Sequence, residues 1–181
     1  MTIFDLEHFS RDHFALFDLP RRQALEEIEL ERKYRDIQAQ VHPDKHAHLA
    51  EADKRLAMQW ATKVNEAYQT LKSPLKRAEY LLGLSGHDPQ IERNTAMPAD
   101  FLMQQMELRE AVAEAREAGD VDELDRMHRR MKKEMADQHQ GLIRALDDGK
   151  DYSRGAEIVR QLMFQEKLLH DIDEALQAVE A

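Results

Sequence analysis

An all-α protein of two parts is predicted by three observations. Gly and Pro are scarce, 6 and 5 in 181 residues, against 34% charged and 42% hydrophobic residues, a balance that favours ordered helix over β structure or disorder. Apolar residues recur at helical spacing almost throughout. One stretch breaks the pattern, Ser85–Ala99, SGHDPQIERNTAMPA, where a glycine and two prolines suit a connection. The expected division is therefore residues 1–85, a linker over 86–97, and a second domain over 98–181.

The first part opens on a short apolar segment, Phe14, Leu16, Phe17 and Leu19, ending at Pro20. A helix from about Ala24 to Val41 follows. Its seam is Leu30, Tyr34, Ile37 and Val41, with Arg32 and Arg35 on the other side. A second helix, about Ala50 to Lys72, carries Leu56, Trp60, Val64, Ala67 and Leu71, and the two seams can pack as an antiparallel helical hairpin. A third, PLKRAEYLLGL, starts at Pro74 behind Ser73 as N-cap, where proline's missing donor does no harm.

After the connection, three amphipathic helices predict a three-helix bundle. The first spans about Pro98 to Ala118 and stops at Gly119, with a core seam of Phe101, Gln105, Leu108, Val112 and Ala115. Asp120 caps the second, with Glu123 at the matching acidic position; its seam is Leu124, His128, Met131, Met135, Gln138, Leu142 and Ala145, and Gly149 closes it. The third places Ile158, Leu162, Gln165, Leu169, Ile172, Leu176 and Val179 in steps of four and three.

The chain has no cysteine, which excludes disulfides and thiolate-held zinc or iron–sulfur clusters. No apolar run approaches the ~20 residues of a membrane span and no signal-peptide pattern opens the chain, so a cytoplasmic protein is expected. The net charge of −10 divides as −2 over residues 1–90 and −8 over 91–181, which argues against general attraction to nucleic acid or anionic membranes. The basic run RMHRRMKK, Arg126 to Lys133, spreads around its helix and is flanked by Asp122, Glu123, Asp125 and Glu134, so it reads as a solvated surface.

Two features call for a function. His42-Pro43-Asp44 interrupts the helical pattern: Pro43 has no N–H and pushes His42 away from helical geometry, so the helix stops there. Alone, His42 and Asp44 could be ordinary capping residues of a loop. A metal site built on His42, Asp44, His46 and His48 has loose spacing and no further ligand in view. The second feature is a further stripe on the helix after the connection: Met103, Met106, Glu107, Glu110 and Glu114, with Leu102 beside Met106. One helix cannot bury both stripes without burying carboxylates, so this one should be partly exposed, an apolar patch edged by acids.

Residues Leu30–Lys45, LERKYRDIQAQVHPDK, and Val64–Leu82, VNEAYQTLKSPLKRAEYLL, with the opening FALFDLP, resemble a J-domain, the module that stimulates the ATPase of DnaK-type chaperones. The resemblance implies a chaperone-binding set of His42, Pro43, Asp44, Lys45, Arg32, Lys33 and Arg35. A proline-stiffened tip loses little entropy on docking, Asp44 offers a carboxylate to an arginine, and the cations steer the chain to an acidic surface. J-domains usually carry a basic residue and an aromatic just before the histidine; here stand Ala39, Gln40 and Val41, which implies weaker general chaperone binding and a specialised partner.

The block FLMQQMELREAV, with VRQLMFQEKL (Val159–Leu168) on the last helix, resembles the C-terminal domain of the HscB family, J-type co-chaperones of iron–sulfur cluster assembly. That resemblance implies that Leu102, Met103, Met106, Glu107, Glu110, Glu114 and Phe164 bind the cluster scaffold IscU, and that the chaperone is HscA. Phe164 lies one position off its seam, so a half-exposed placement is expected. No cofactor and no bond-breaking chemistry are implied; the expected role is delivery of the scaffold, with a J-domain co-chaperone serving a different client as the alternative.

Overall fold

In a computed structural model the described residues are 10–41, 51–87 and 97–180, and among them every regular element is helical. The chain divides into two compact units, Met1–Leu81 and Leu82–Ala181. The expected connection, residues 86–97, lies mostly outside the described residues.

The first unit begins with a single turn, α1 (His13–Leu16), capped by Asp12, whose Oδ1 accepts from the amides of Phe14 and Ala15 at 2.9 and 3.0 Å. Burial alone would raise the Asp12 carboxyl, but these amides and the Arg21 guanidinium outweigh it and hold the group below its ordinary value. Phe14, Phe17 and Leu19 turn inward onto the core formed by Leu30, Trp60, Val64, Ala67 and Leu71. Between them Asp18 takes a left-handed conformation, φ 50°, a region that aspartate tolerates better than most side chains.

Helix α2 (Glu27–Val41) starts three residues later than the apolar pattern suggests. Gln23, which would have fallen just before the first turn, is instead buried in the crossing segment, its Nε2 donating to the Pro74 carbonyl at 2.8 Å. Helices α2 and α3 (Glu51–Lys72) pack together through the stacked rings of Tyr34 and Tyr68, centroids 3.9 Å apart. Helix α4 (Pro74–Leu84) begins at the proline, with Ser73 Oγ accepting from the Lys76 amide at 3.4 Å. Arg77, buried, donates from Nη1 to the Leu71 carbonyl at 2.9 Å and so satisfies one of the carbonyls left open where α3 ends. His13 stacks on Tyr80 at 4.2 Å while its amide donates to the Tyr80 hydroxyl.

The second unit is the expected bundle of three long helices: α5 (Ala99–Ala118), α6 (Val121–Ile143) and α7 (Tyr152–Glu180). Gly119 ends α5 in the left-handed conformation, φ 67°, where a side chain would be strained. The Asp120 carboxylate then accepts from the Glu123 amide at 3.0 Å and starts α6. Leu124, Met131, Met135, Leu142 and Ala145 are buried as the spacing predicts, but His128 and Gln138 sit half-buried at the edge while Met127 takes a core position. His128 faces Asp173 at 3.2 Å, and Gln138 Nε2 reaches Gln161 Oε1 at 3.4 Å.

On α7 the buried set is Gly155, Ala156, Ile158, Val159, Leu162, Gln165, Leu168, Ile172 and Ala175; Leu169, Leu176 and Val179 are only half-buried. Steps of four and three describe a narrow seam, whereas α7 packs against two helices and needs a wider apolar face.

A widened turn, Arg144–Asp148, follows α6 in π geometry, a departure that the helical spacing does not announce. It turns Ala145 and Leu146 into the core, and Gly155 lies directly against Leu146.

Two glycines in this bundle should respond oppositely to alanine. A Cβ on Gly155 would stand 2.5 Å from Leu146 Cδ2 and 3.3 Å from its Cγ, so Gly155→Ala should lower stability by ~1–3 kcal/mol. At Gly141 the nearest atom is Ile158 Cδ1 at 3.7 Å, so Gly141→Ala should raise it by up to ~1 kcal/mol through helix propensity. Urea denaturation of both variants checks the pair. In the first unit, burial pushes His13 below its ordinary value; Lys63 adds to this and Glu66 and Asp12 oppose it. The neutral ring is then favoured in the folded state, so stability should fall as pH drops from the ordinary histidine range towards the depressed value, and His13→Gln should abolish that slope.

Candidate functional site

The two candidate surfaces are on different units. On the first, α2 and α3 are joined through residues 42–50, so His42, Pro43, Asp44 and Lys45 lie outside the described residues. Of the implied cations on α2, Arg32 and Arg35 project into solvent. Arg35 pairs with Glu31 one turn earlier; Arg32 has no ion-pair partner among the described residues. Ile28, also exposed, shares their face at helical spacing.

Lys33 differs from both. Its side chain is 20% exposed, its ammonium donates to the Asp18 carbonyl, and it lies within 3.7 Å of the Asp18 and 3.6 Å of the Glu29 carboxylates. The lysine thereby holds the left-handed turn at Asp18 against α2. Its geometry supplies a structural role; the spacing of Arg32 and Arg35 alone shows nothing of it, because the partner is a backbone carbonyl 15 residues away.

On the second unit, α5 has the two-sided character expected. Gln105, Val112 and Ala115 are buried and Phe101 and Leu108 half-buried on one side. On the other, Met103 is 60% and Met106 69% exposed, and Glu107, Glu110 and Glu114 continue the same side of the helix in solvent. These three carboxylates have no ion-pair partner among the described residues, so the rim is an uncompensated negative edge. Leu102 is half-buried at the border between the two stripes.

Phe164, on α7, is half-buried as its off-seam position suggests, and its ring meets Phe101 edge-on at 6.0 Å with an interplanar angle of 88°. That contact fixes the ring of α7 beside the first turn of α5, a pairing invisible to either helix's own periodicity. Leu102, Met103 and Met106 thus form a small apolar stripe on α5 with acids along it, and Phe164, half-buried on α7, stands against Phe101 of α5. Among the described residues this stripe brings together no reactive constellation; what it offers is adaptable thioethers and free carboxylates.

Among the described residues no group of three or more His, Asp and Glu side chains could hold a metal ion, and no helix is long and apolar enough to cross a membrane. His46 and His48 lie outside the described residues.

Residues 12–80 match the family model described as the DnaJ domain, and residues 97–173 the one described as the HSCB C-terminal oligomerisation domain. Among curated relatives, the co-chaperone protein HscB homolog of Azoarcus sp. (strain BH72) is 54% identical over 170 residues, 94% of this chain and 96% of that one. The homolog of Ralstonia nicotianae is 50% identical over 167 residues, 92% and 95% of the two chains. Among solved structures, chaperone HscB from Vibrio cholerae has a TM-score of 0.82 at 32% identity, over 93% of this chain and 99% of that one. Human co-chaperone protein HscB has a TM-score of 0.85 at 27% identity, over 91% and 82%.

Lys33→Ala should cost the first unit about 1 kcal/mol through the loss of a charge-assisted hydrogen bond, while Arg32→Ala and Arg35→Ala stay within about 0.5 kcal/mol of the parent chain. Chemical denaturation of the three variants measures the difference.

Proposed function

The chain belongs to the HscB family of J-domain co-chaperones, and from that premise we propose that it binds the iron–sulfur scaffold IscU on its C-terminal bundle and delivers it to a specialised DnaK-type chaperone, HscA. At the chaperone, His42-Pro43-Asp44 and the cations of α2 engage the ATPase domain and stimulate hydrolysis, so that cluster transfer to recipient proteins is assisted in the cytoplasm. The chain itself breaks no bond.

The observation that carries this reading is the exposure of Met103 and Met106 beside the exposed carboxylates of Glu107, Glu110 and Glu114. Burying one methionine side chain stabilises a fold by roughly 1.5–3 kcal/mol, so leaving two outside forgoes a sizeable gain. A face kept at that cost, next to a half-exposed phenylalanine, fits a partner site.

Holding the scaffold and engaging the chaperone on one chain turns a three-body encounter into two successive two-body ones. The scaffold is presented at an effective concentration set by its residence on the same chain rather than by its level in the cell. Arg32 and Arg35 contribute mainly to the encounter rate, since solvated charges act at long range and add little to the bound state.

Met106→Ala should weaken scaffold binding about tenfold in calorimetry and leave the melting temperature unchanged, because the side chain is exposed. His42→Gln should keep scaffold binding while removing stimulation of the chaperone's steady-state ATPase. Wild-type affinity in the first variant, or normal stimulation in the second, refutes the corresponding assignment.

A further inference from the structure

Among the described residues the buried polar side chains divide by unit. In the first, Gln23 and Arg77 each donate to a backbone carbonyl. In the second, Gln105 on α5 is 2% and Gln165 on α7 4% exposed, and the Oε1 of neither accepts a hydrogen bond among the described residues. Both stand at seam positions where leucine would suit the helical spacing. An amide there costs stability twice, through apolar burial forgone and through a carbonyl taken out of water.

The two amides lie at nearly one level of the bundle. Phe101 meets Phe164, and Arg109, two turns on, meets Asp171, so α5 and α7 run parallel. Gln105, midway between Phe101 and Arg109, is therefore level with Lys167 and Leu168, and Gln165 lies only about 4 Å away along the axis. Each amide also adjoins a member of the proposed scaffold set: Gln105 precedes Met106, and Gln165 follows Phe164. Successive residues of a helix point about 100° apart, so the inward direction of each amide fixes the direction of the side chain beside it.

Apolar contacts are non-directional, and a seam of leucine alone would tolerate helices shifted by a turn. Two amides at one level do not. In the present register each has the other's polar group within a turn; in a shifted one each would face hydrocarbon, the device by which a single buried polar layer fixes alignment in coiled coils. Turning α5 to carry Gln105 into solvent would leave Gln165 alone in the core.

We propose that Gln105 and Gln165 are positioning residues, a polar core layer that gives up stability to hold α5 and α7 in one register and so sets Met106 and Phe164 in fixed places for the scaffold. This role rests on the reading of α5 as the scaffold-binding helix.

Gln105→Leu, Gln165→Leu and the double variant test it, with Gln140→Leu on the exposed side of α6 as control. The readouts are thermal melting, NMR of the full chain, and calorimetry with purified scaffold protein. The double variant should melt several degrees higher, because apolar side chains replace desolvated amides. Its contact between the Phe101 and Phe164 rings, expected as one set of cross-peaks in the parent chain, should weaken or split as other registers become populated. Scaffold affinity should fall about three- to tenfold, in proportion to the fraction of molecules left in the competent register, while the control stays within about twofold. A double variant with the parent's affinity, or with the parent's single ring contact, overturns the proposal. So does a lower melting temperature, which would make the amides ordinary stabilising groups. If the parent chain itself does not bind the scaffold, the functional reading fails instead, and the ring contact alone decides the register role.

Discussion

Helix α5 has more apolar surface than a three-helix bundle can cover, and the carboxylates beside its second stripe decide which part stays outside. Turning the helix to bury Met103 and Met106 would gain roughly 1.5–3 kcal/mol for each side chain. It would also carry Glu107 or Glu110 into the core, where an unpaired carboxylate costs several kcal/mol, and would uncover Val112 and Ala115. The acids thus act twice: they set the rotation of α5 within the bundle, and they give the exposed patch a negative border that screens potential partners.

That rotation is held from α7 on both sides. Asp171 meets Arg109 on α5, and Asp173, two residues on, meets His128 on α6. Towards the other end of α7 the contacts are steric: Phe164 against Phe101, Ile158 beside Gly141, and Gly155 against the π turn at Leu146. Partly exposed polar contacts of this kind contribute little energy, but each is geometrically demanding, so together they serve register more than stability. The apolar contacts supply the free energy, and α7, lying against both neighbours, fixes where Phe164 stands relative to the methionines.

Much of this was legible in the residues. Pro74, Gly119 and Asp120 announce the boundaries they make, because their chemistry is local: a missing donor, freedom at positive φ, a short carboxylate that reaches its own helix. The two stripes of α5 were legible for the same reason, since a period of 3.6 residues assigns faces without tertiary information. What escaped is non-local. The π turn after α6 exists because Ala145 and Leu146 must both face the core before the chain reverses, and no pattern of six residues encodes that demand. Gln23 and Lys33 each spend a side chain on a distant backbone carbonyl, Pro74 and Asp18, where sequence spacing is silent. The breadth of α7's buried face follows from its having two neighbours, which its own steps of four and three do not record.

On the proposed role the chain has to release what it holds, and the composition of the α5 face suits that proposal. Two flexible methionines and a half-exposed phenylalanine offer little preorganised shape, so binding them costs side-chain entropy and tempers affinity. The carboxylate rim works mainly on the encounter, raising the rate at which a basic surface finds the patch, and salt screens it within about 8–10 Å. For the proposed scaffold contact, those two features together would give fast capture with moderate retention. Replacing the acids by more apolar side chains would lengthen residence but would also remove the penalty that keeps α5 from turning inward, so the same carboxylates that limit the strength of the contact are what keep it available.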